Sequence, residues 1–172
     1  RTEKDLIDSP WVQRLRYIYQ LQSARWVYPS AEHTRFVHSL GTMHVAGRFA
    51  QHLYPFLRKA VPDLPSAAFV EEFLRITALV HDIGHGPFCH FFDDNYLHGF
   101  GLSHEKLGQI IVREHLGPLI KKIRRSPSGP FDRGEELNPD HIAHVILKEK
   151  GKDNSKIPRW INVMQPVISG SY

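Results

Sequence analysis

One cysteine in 172 residues leaves no internal disulfide to form, so the fold must be held by packing, and a reducing cytosol is the expected location, or the nucleus in a eukaryote. No run of about 18 apolar residues occurs, so no membrane-spanning helix is expected, and Arg1-Thr2-Glu3-Lys4 is not the pattern of a signal peptide. Internal repeats and low-complexity segments are missing as well, which excludes solenoids and disordered tracts. Charge is only mildly one-sided: a formal +4 suits an anionic substrate or partner without naming it. Nucleic acid fits that charge, yet no basic motif with interleaved aromatics supports it. The 41% hydrophobic content with 11% aromatics reads as one globular domain able to bury its own core. Against these scarcities stands an abundance: twelve histidines.

Half of them fall in a few short motifs. His81-Asp82 ends the apolar run Phe69, Val70, Phe73, Leu74, Ile76, Ala78, Leu79, Val80, whose only charges are Glu71, Glu72 and Arg75. An ionised Asp at the end of so apolar a helix must recover its lost hydration from a basic partner or a cation. A capped helix with a satisfied core histidine would account for a lone pair of this kind. The surroundings argue for a metal: His38 lies upstream in Arg35-Phe36-Val37-His38-Ser39-Leu40-Gly41, and Gly84-His85-Gly86-Pro87-Phe88-Cys89-His90, Asp93 and Ser103-His104-Glu105 follow. Neighbours on a helix diverge by about 100°, so His81 and Asp82 can share an ion only if ligands arrive from other segments. His52, His98, His115, His141 and His144 read as surface or packing residues.

In that order, His38, His81-Asp82 and the Gly84 to His90 run resemble the HD-domain metal-dependent phosphohydrolases. Within that superfamily they are most similar to the deoxynucleoside triphosphate triphosphohydrolase branch. Asp8-Ser9-Pro10-Trp11-Val12-Gln13-Arg14-Leu15-Arg16, Gln20-Leu21, Tyr28-Pro29, His33-Thr34-Arg35 and His104-Glu105 fall in family order too, so the likeness covers Ile7 to Glu105 well and the remainder weakly. Two departures matter. The family completes its metal site with an Asp in a later stretch resembling Asp-x-Asp-x-x-Asp-Tyr, after a Ser-Gly segment, and this chain ends at Ile168-Ser169-Gly170-Ser171-Tyr172. Asp132, Asp140 and Asp153 lack the matching context. The expectation is therefore a single HD domain fragment over residues 1–172, truncated at both ends, without the C-terminal metal-ligand helix. Cys89 and Val37 also stand where relatives often carry Ser and Glu, and a cysteine there adds an oxidisable group without blocking the chemistry.

The resemblance implies a divalent ion on His38, His81, Asp82 and the absent Asp, with positions left open for water and a phosphate oxygen. Mixed imidazole and carboxylate ligation suits Mn, Fe, Co, Ni or Zn better than Mg or Ca. It also implies that His85 lines the phosphate pocket, while His90 with Asp93, and His104 with Glu105, supply acid/base and phosphate contacts. Arg35 would contact substrate phosphate, a role that guanidinium geometry suits, or else serve as a buried structural ion pair. Gln20 would contact the sugar. Asp8, Gln13 and Arg16 match an effector pocket at a subunit interface, which implies a homo-oligomer dependent on a guanine nucleotide; the plain reading is a polar face of the first helix.

The chain pattern is helical throughout. Ser9-Pro10 opens a helix in which Trp11, Leu15, Ile18 and Leu21 keep spacing as core residues through Leu21. The His38 helix ends at Pro55 or Pro62. Ser66 caps a helix through Ile83, stopped by Gly84 and Gly86. Ser103 caps another, with Leu107, Ile110 and Ile111 inward, until Gly117-Pro118. Residues 126–138 read as an exposed loop, Asn138-Pro139 opens a helix with Ile142, Val145 and Ile146 that closes at Gly151, and Lys148 to Lys156 is a solvated basic end. The fold class is all-α, an HD-domain helical bundle.

The leading expectation is hydrolysis of a deoxynucleoside triphosphate to deoxynucleoside and triphosphate. An HD phosphohydrolase or phosphodiesterase acting on nucleoside monophosphates or signalling nucleotides is the alternative enzyme. A nucleic-acid-binding protein with a secondary HD pocket is the alternative outside enzymes.

Overall fold

The computed structural model describes residues 2–147 and 157–169. Its elements run α1 (Glu3–Ile7), α2 (Pro10–Gln13) with a 3₁₀ turn over Arg14–Tyr17, α3 (Arg35–Ala60), α4 (Ala67–Val80), α5 (His90–Asn95) and α6 (His104–Ile110). A π-helical turn over Ile111–Leu116 leads into α7 (Gly117–Ile120), and a hairpin, β1 (Arg125–Ser126) and β2 (Gly129–Pro130), precedes α8 (Pro139–Ile146) and α9 (Arg159–Ser169). The all-α expectation holds, that two-stranded hairpin being the single sheet among the described residues. None of the described helices is long and apolar enough to cross a membrane.

The bundle is organised around α4, whose residues are buried on nearly every side, as expected of a helix apolar all round. Ser66 caps it by accepting from the Phe69 amide at 3.2 Å. Glu135 holds the cap in turn, accepting from the Ser66 amide at 2.7 Å. α3 lies along α4, joined where Thr42 Oγ1 donates to the Ala78 carbonyl at 3.2 Å. On another face Trp160 of α9 meets Phe73 edge-on, with centroids 4.8 Å apart, the favoured geometry for aromatic pairs.

Several boundaries differ from the sequence pattern, each for a tertiary reason. The first helix stops at Tyr17, short of Leu21: Ile18 turns extended, its carbonyl accepts the Arg35 amide at 2.8 Å, and Tyr19 bridges Thr34. Leu21 is thereby left exposed, whereas Leu15 and Ile18 join the core and Trp11 stacks on His115. α3 continues through Pro55 and ends before Pro62, with Val61 extended, as a residue preceding proline prefers. α4 ends at Val80 instead of Ile83, so His81 and Asp82 occupy the following turn.

The π turn inserts an extra residue that rotates the helix face, leaving Ile110 exposed and Ile111, Val112 and Leu116 buried, and the helix continues past Gly117-Pro118 to Ile120. Residues 126–138 are more than an exposed loop, for Ser126 and Leu137 are buried. α8 ends at Ile146. Its expected close at Gly151, the basic stretch Lys148 to Lys156 with Asp153, and Gly170-Ser171-Tyr172 lie outside the described residues. α9, with Pro166 inside it, is a helix the sequence pattern does not announce.

Candidate metal centre and histidine cluster

His38 comes from the first turns of α3 and His81-Asp82 from the turn after α4, so the contact between these two helices assembles the trio. His38 Nε2 lies 3.3 Å from His81 Nε2. Asp82 Oδ2 lies 3.6 Å from His38 Nε2 and 3.4 Å from His81 Nε2. Ligand atoms about 2.1 Å from one ion, in tetrahedral to octahedral geometry, are roughly 3.0–3.4 Å apart; two of these spacings lie in that range and the His38–Asp82 one is 0.2 Å beyond it, so a small closure of the trio accommodates a divalent metal. The tautomer fits too: His81 Nδ1 is 2.7 Å from the Ala78 carbonyl, so the ring donates there and directs its Nε2 lone pair at the trio. Burial, helped by His81, lowers the His38 pKa and favours the neutral ring that a ligand must be. Burial pushes Asp82 upward, but His81, Arg35 and His85 outweigh it and hold the carboxyl ionised below its ordinary range.

Arg35 is only 4% exposed and forms an ion pair with Asp82 Oδ2, while its Nε donates to Cys89 Sγ at 3.0 Å. Arg35 thus sits in a buried ion pair at the edge of the trio. Cys89 is itself buried and donates to the Tyr19 carbonyl at 3.3 Å.

The turn after Asp82 reaches a second cluster. His85, His90, Asp93 and His104 bring one ligand atom each within 4.8 Å of one another. The His85 and His104 rings stack at 3.8 Å between centroids, and His90 meets His85 edge-on at 5.0 Å. Asp93 Oδ2 is hydrogen-bonded to His104 Nδ1 and lies 3.6 Å from His90 Nδ1, so the carboxylate expected beside His90 holds His104 more closely. His104 Nε2 has Glu105 Oε1 at 3.2 Å. Although burial opposes it, hydrogen bonds from Ser103 and from its own backbone amide hold Glu105 below the ordinary carboxylate range. His85 is buried, and desolvation with Arg35 and His104 nearby drives its pKa down to about 3, so its ring is neutral across the working range. His90 is 63% exposed at its side chain and faces solvent.

Backbone demands explain the glycines and the bend. A Cβ on Gly84 would lie 1.9 Å from the His104 carbonyl oxygen, so only glycine lets the HD turn press against the start of α6. Phe88 and Cys89 both have positive φ, 60° and 50°, an uncommon conformation for side-chain-bearing residues that aims the start of α5.

Arg14 acquires its role only in the fold. Its guanidinium donates to the carbonyls of Ile83 and, at 2.8 Å, of His85, fastening the 3₁₀ turn after α2 to the HD turn. No local spacing announces a contact across 71 positions. Gln20 follows the Tyr19–Thr34 bridge, and its side-chain oxygen Oε1 is buried without a partner. Gln13 Oε1 accepts from Arg16 Nε at 2.7 Å, and the Arg16 guanidinium covers the Phe36 ring at 3.8 Å. Asp8 is exposed at the end of α1.

A fold built on α3 and α4 with a His38, His81, Asp82 trio at their junction is that of an HD domain, and the HD domain family matches residues 35–158. The chain belongs to this family. It is 39% identical over 115 residues to deoxynucleoside triphosphate triphosphohydrolase SAMHD1 of Bos taurus, covering 64% of this chain and 19% of that one. The SAMHD1 enzyme of Homo sapiens is 39% identical over 115 residues, covering 64% and 18%. An uncharacterized protein of Methanocaldococcus jannaschii is 44% identical over 148 residues, covering 84% and 26%. The chain thus spans between 18% and 26% of the length of these three relatives.

Proposed function

We propose that this chain carries the centre of a phosphohydrolase that splits deoxynucleoside triphosphates into deoxynucleoside and triphosphate. The observation that carries the reading is the junction of two unlike sites through one turn: a trio fit for a divalent ion and, beyond Gly84, a cluster of three histidines and an aspartate suited to moving protons. The names of the SAMHD1 relatives support the choice of substrate.

In this reading His38, His81 and Asp82 hold a divalent transition metal. Such an ion supplies positive charge beside a phosphoryl group and activates water toward it. Arg35, whose guanidinium already neutralises Asp82, offers its remaining donors to phosphate oxygens. His85, neutral and stacked on His104, donates a hydrogen bond to the phosphate chain without adding charge. Asp93 fixes the His104 ring. His90, exposed beside that carboxylate, delivers a proton to the departing 5′ oxygen as water adds to the α-phosphorus. The oxygen leaves as the deoxynucleoside hydroxyl, and the triphosphate keeps the oxygen brought by water. Gln20 bonds the sugar through its unpartnered oxygen. Asp8, Gln13 and Arg16 form part of a guanine-nucleotide effector pocket between copies of the chain.

The test incubates a chain extended past Tyr172 with each dNTP and Mn, with and without GTP, and separates products by ion exchange. Deoxynucleoside and intact triphosphate, lost in Asp82→Ala, are expected. Absence of dNTP cleavage under every metal and effector discards this substrate and points to monophosphates, signalling nucleotides or nucleic acid.

A further inference from the structure

Three large aromatic side chains beside the HD turn are left to solvent: Tyr17 is 86% exposed, Trp26 71% and Phe88 65%. They come from two remote segments, one ending in a 3₁₀ turn over Gln22–Trp26 and the other the Pro87-Phe88 pair. Cys89 ties the two together where its Sγ donates to the Tyr19 carbonyl at 3.3 Å. Between the segments lies a cavity of about 220 Å³ whose wall also takes in Tyr19, Gln22 and Arg25. Gln22 and Phe88 both hold positive φ, 47° and 60°, and strained backbone of this kind collects where ligands are clamped. Exposed Trp and Tyr beside an Arg are also the side chains that dominate binding hot spots.

Charge and size narrow the occupant. Among the described residues that line the cavity, Arg25 is the one cation, and it is committed: its guanidinium covers the Tyr19 ring at 3.7 Å and its Nη1 pairs with Glu32 Oε2 at 3.4 Å. A nucleic-acid strand needs free cations along its phosphates, and this wall offers none. A free nucleotide has the same need and more bulk, since whole-ligand pockets begin near about 300 Å³. The cleft suits an uncharged stretch of a longer chain that inserts one or two small rings.

We propose that this aromatic cleft binds a proline-rich segment of a partner protein in the polyproline II conformation. Of the recurring modes of peptide recognition, strand addition needs an open sheet edge, and the cleft's only strand character is the isolated bridge between Tyr19 and Thr34. An amphipathic helix needs a groove several turns long, which a cavity of about 220 Å³ does not provide. Proline-rich segments dock in short grooves between aromatic side chains, and that is what Tyr17, Trp26 and Phe88 form. The cleft uses none of the residues given a role in the phosphohydrolase reading, so the two stand or fall separately.

The chemistry of the two surfaces is complementary. A polyproline II helix makes no internal hydrogen bonds, so its carbonyls are free to accept. Tyr17 brings a hydroxyl, Trp26 an indole N–H and Gln22 an amide to meet them. Proline rings pack on the aromatic faces, and a ligand already stiff loses little entropy on binding. Prolines three residues apart fall on one face of that helix, about 9 Å from each other. A Pro-x-x-Pro peptide is therefore the shortest probe that presents two rings to the cleft.

The experiment titrates the full chain with a panel of fluorescein-labelled Pro-x-x-Pro peptides, decaproline among them, and reads polarisation together with the indole N–H signals in NMR spectra. At least one peptide should bind with Kd below about 1 mM, moving the Trp26 signal and leaving those of Trp11 and Trp160 in place. Trp26→Ala and Tyr17→Ala should each weaken binding at least roughly tenfold with the melting temperature unchanged, since both side chains face solvent. Alanine in place of the peptide's prolines should abolish binding, and affinity should hold between about 50 and 500 mM salt. The proposal is overturned if no peptide binds below about 1 mM, if Trp26→Ala binds as tightly as the unmodified chain, or if the alanine peptides bind equally well. Should dAMP or an oligothymidylate, and no peptide, move the Trp26 signal, the cleft belongs to nucleobases and the proposal fails. If a variant does not fold, the Trp26 signal of the unmodified chain and the alanine peptides still decide.

Discussion

Arg14 donates to the backbone carbonyl of His85 at 2.8 Å, tying the first helical segment to the turn that carries the HD pair. A second bond to Ile83 makes the attachment two-pronged. Charge-assisted bonds of this kind contribute about 1.5–3 kcal/mol each, and a cavity and stranded carbonyls follow their removal. Arg14→Ala should lower stability by about 3 kcal/mol and reduce divalent-metal affinity, read from a denaturant titration and from metal retained after dialysis. Metal affinity equal to that of the unmodified chain would detach Arg14 from the site.

Gly84 meets the His104 carbonyl so closely that even a methyl group has no place. Gly84→Ala should force the HD turn off α6, costing about 3 kcal/mol or more, the range of severe steric substitutions. Thermal melting together with phosphohydrolase assay checks this, and both readouts should fall.

Asp93 touches substrate in no step of the proposed reaction; it positions His104 and flanks His90. Asp93→Asn should lower kcat by roughly 10²–10⁴ with little change in KM. The pH–rate profile should change shape as well, a response that simple loss of folded protein cannot give.

Glu72 predicts a pH dependence of stability that has nothing to do with catalysis. Its carboxyl rises from the ordinary 4.5 to about 9 in the fold, through burial and Glu3. Between those values the folded chain holds the proton and the unfolded chain does not, so raising the pH favours unfolding by up to about 1.4 kcal/mol per pH unit. The loss begins near pH 4.5 and levels off above pH 9. Glu72→Gln should flatten that slope, measured by chemical denaturation at a series of pH values.

Removal of the metal ligands supplies a direct check on the trio. Chelation followed by added Mn or Zn should restore about one ion per chain, and Asp82→Ala should retain none by elemental analysis. Stoichiometric rebinding in that variant would place the ion elsewhere.

The parts of this structure written in short-range chemistry could be read from the sequence. Ser66, Ser103 and Asn138 each cap the helix they announce, since the cap and its amide partner lie within three residues. His38, His81 and Asp82 came together as their motif implied. The unread parts depend on distant partners. Ile18 leaves the helix because Arg35 takes its carbonyl, and Arg14 acquires its role from a turn far along the chain. Ile110 turns outward because a π turn shifts the register, which helical spacing assumes constant. Glu71 and Glu72 look like solvated charges until the hairpin and α1 cover them.

The bend at Phe88 and Cys89 sets stability against aim. Two consecutive side-chain-bearing residues with positive φ store on the order of 1–3 kcal/mol each, a tension the surrounding contacts must hold. Glycine at position 88 would relieve that tension and leave the chain harder to unfold. The same freedom would let α5 swing, spreading His90 and Asp93 over a range of directions. The spring between Pro87 and His90 thus works as an alignment device, and a more stable version of this protein made by relaxing it would be a blunter one.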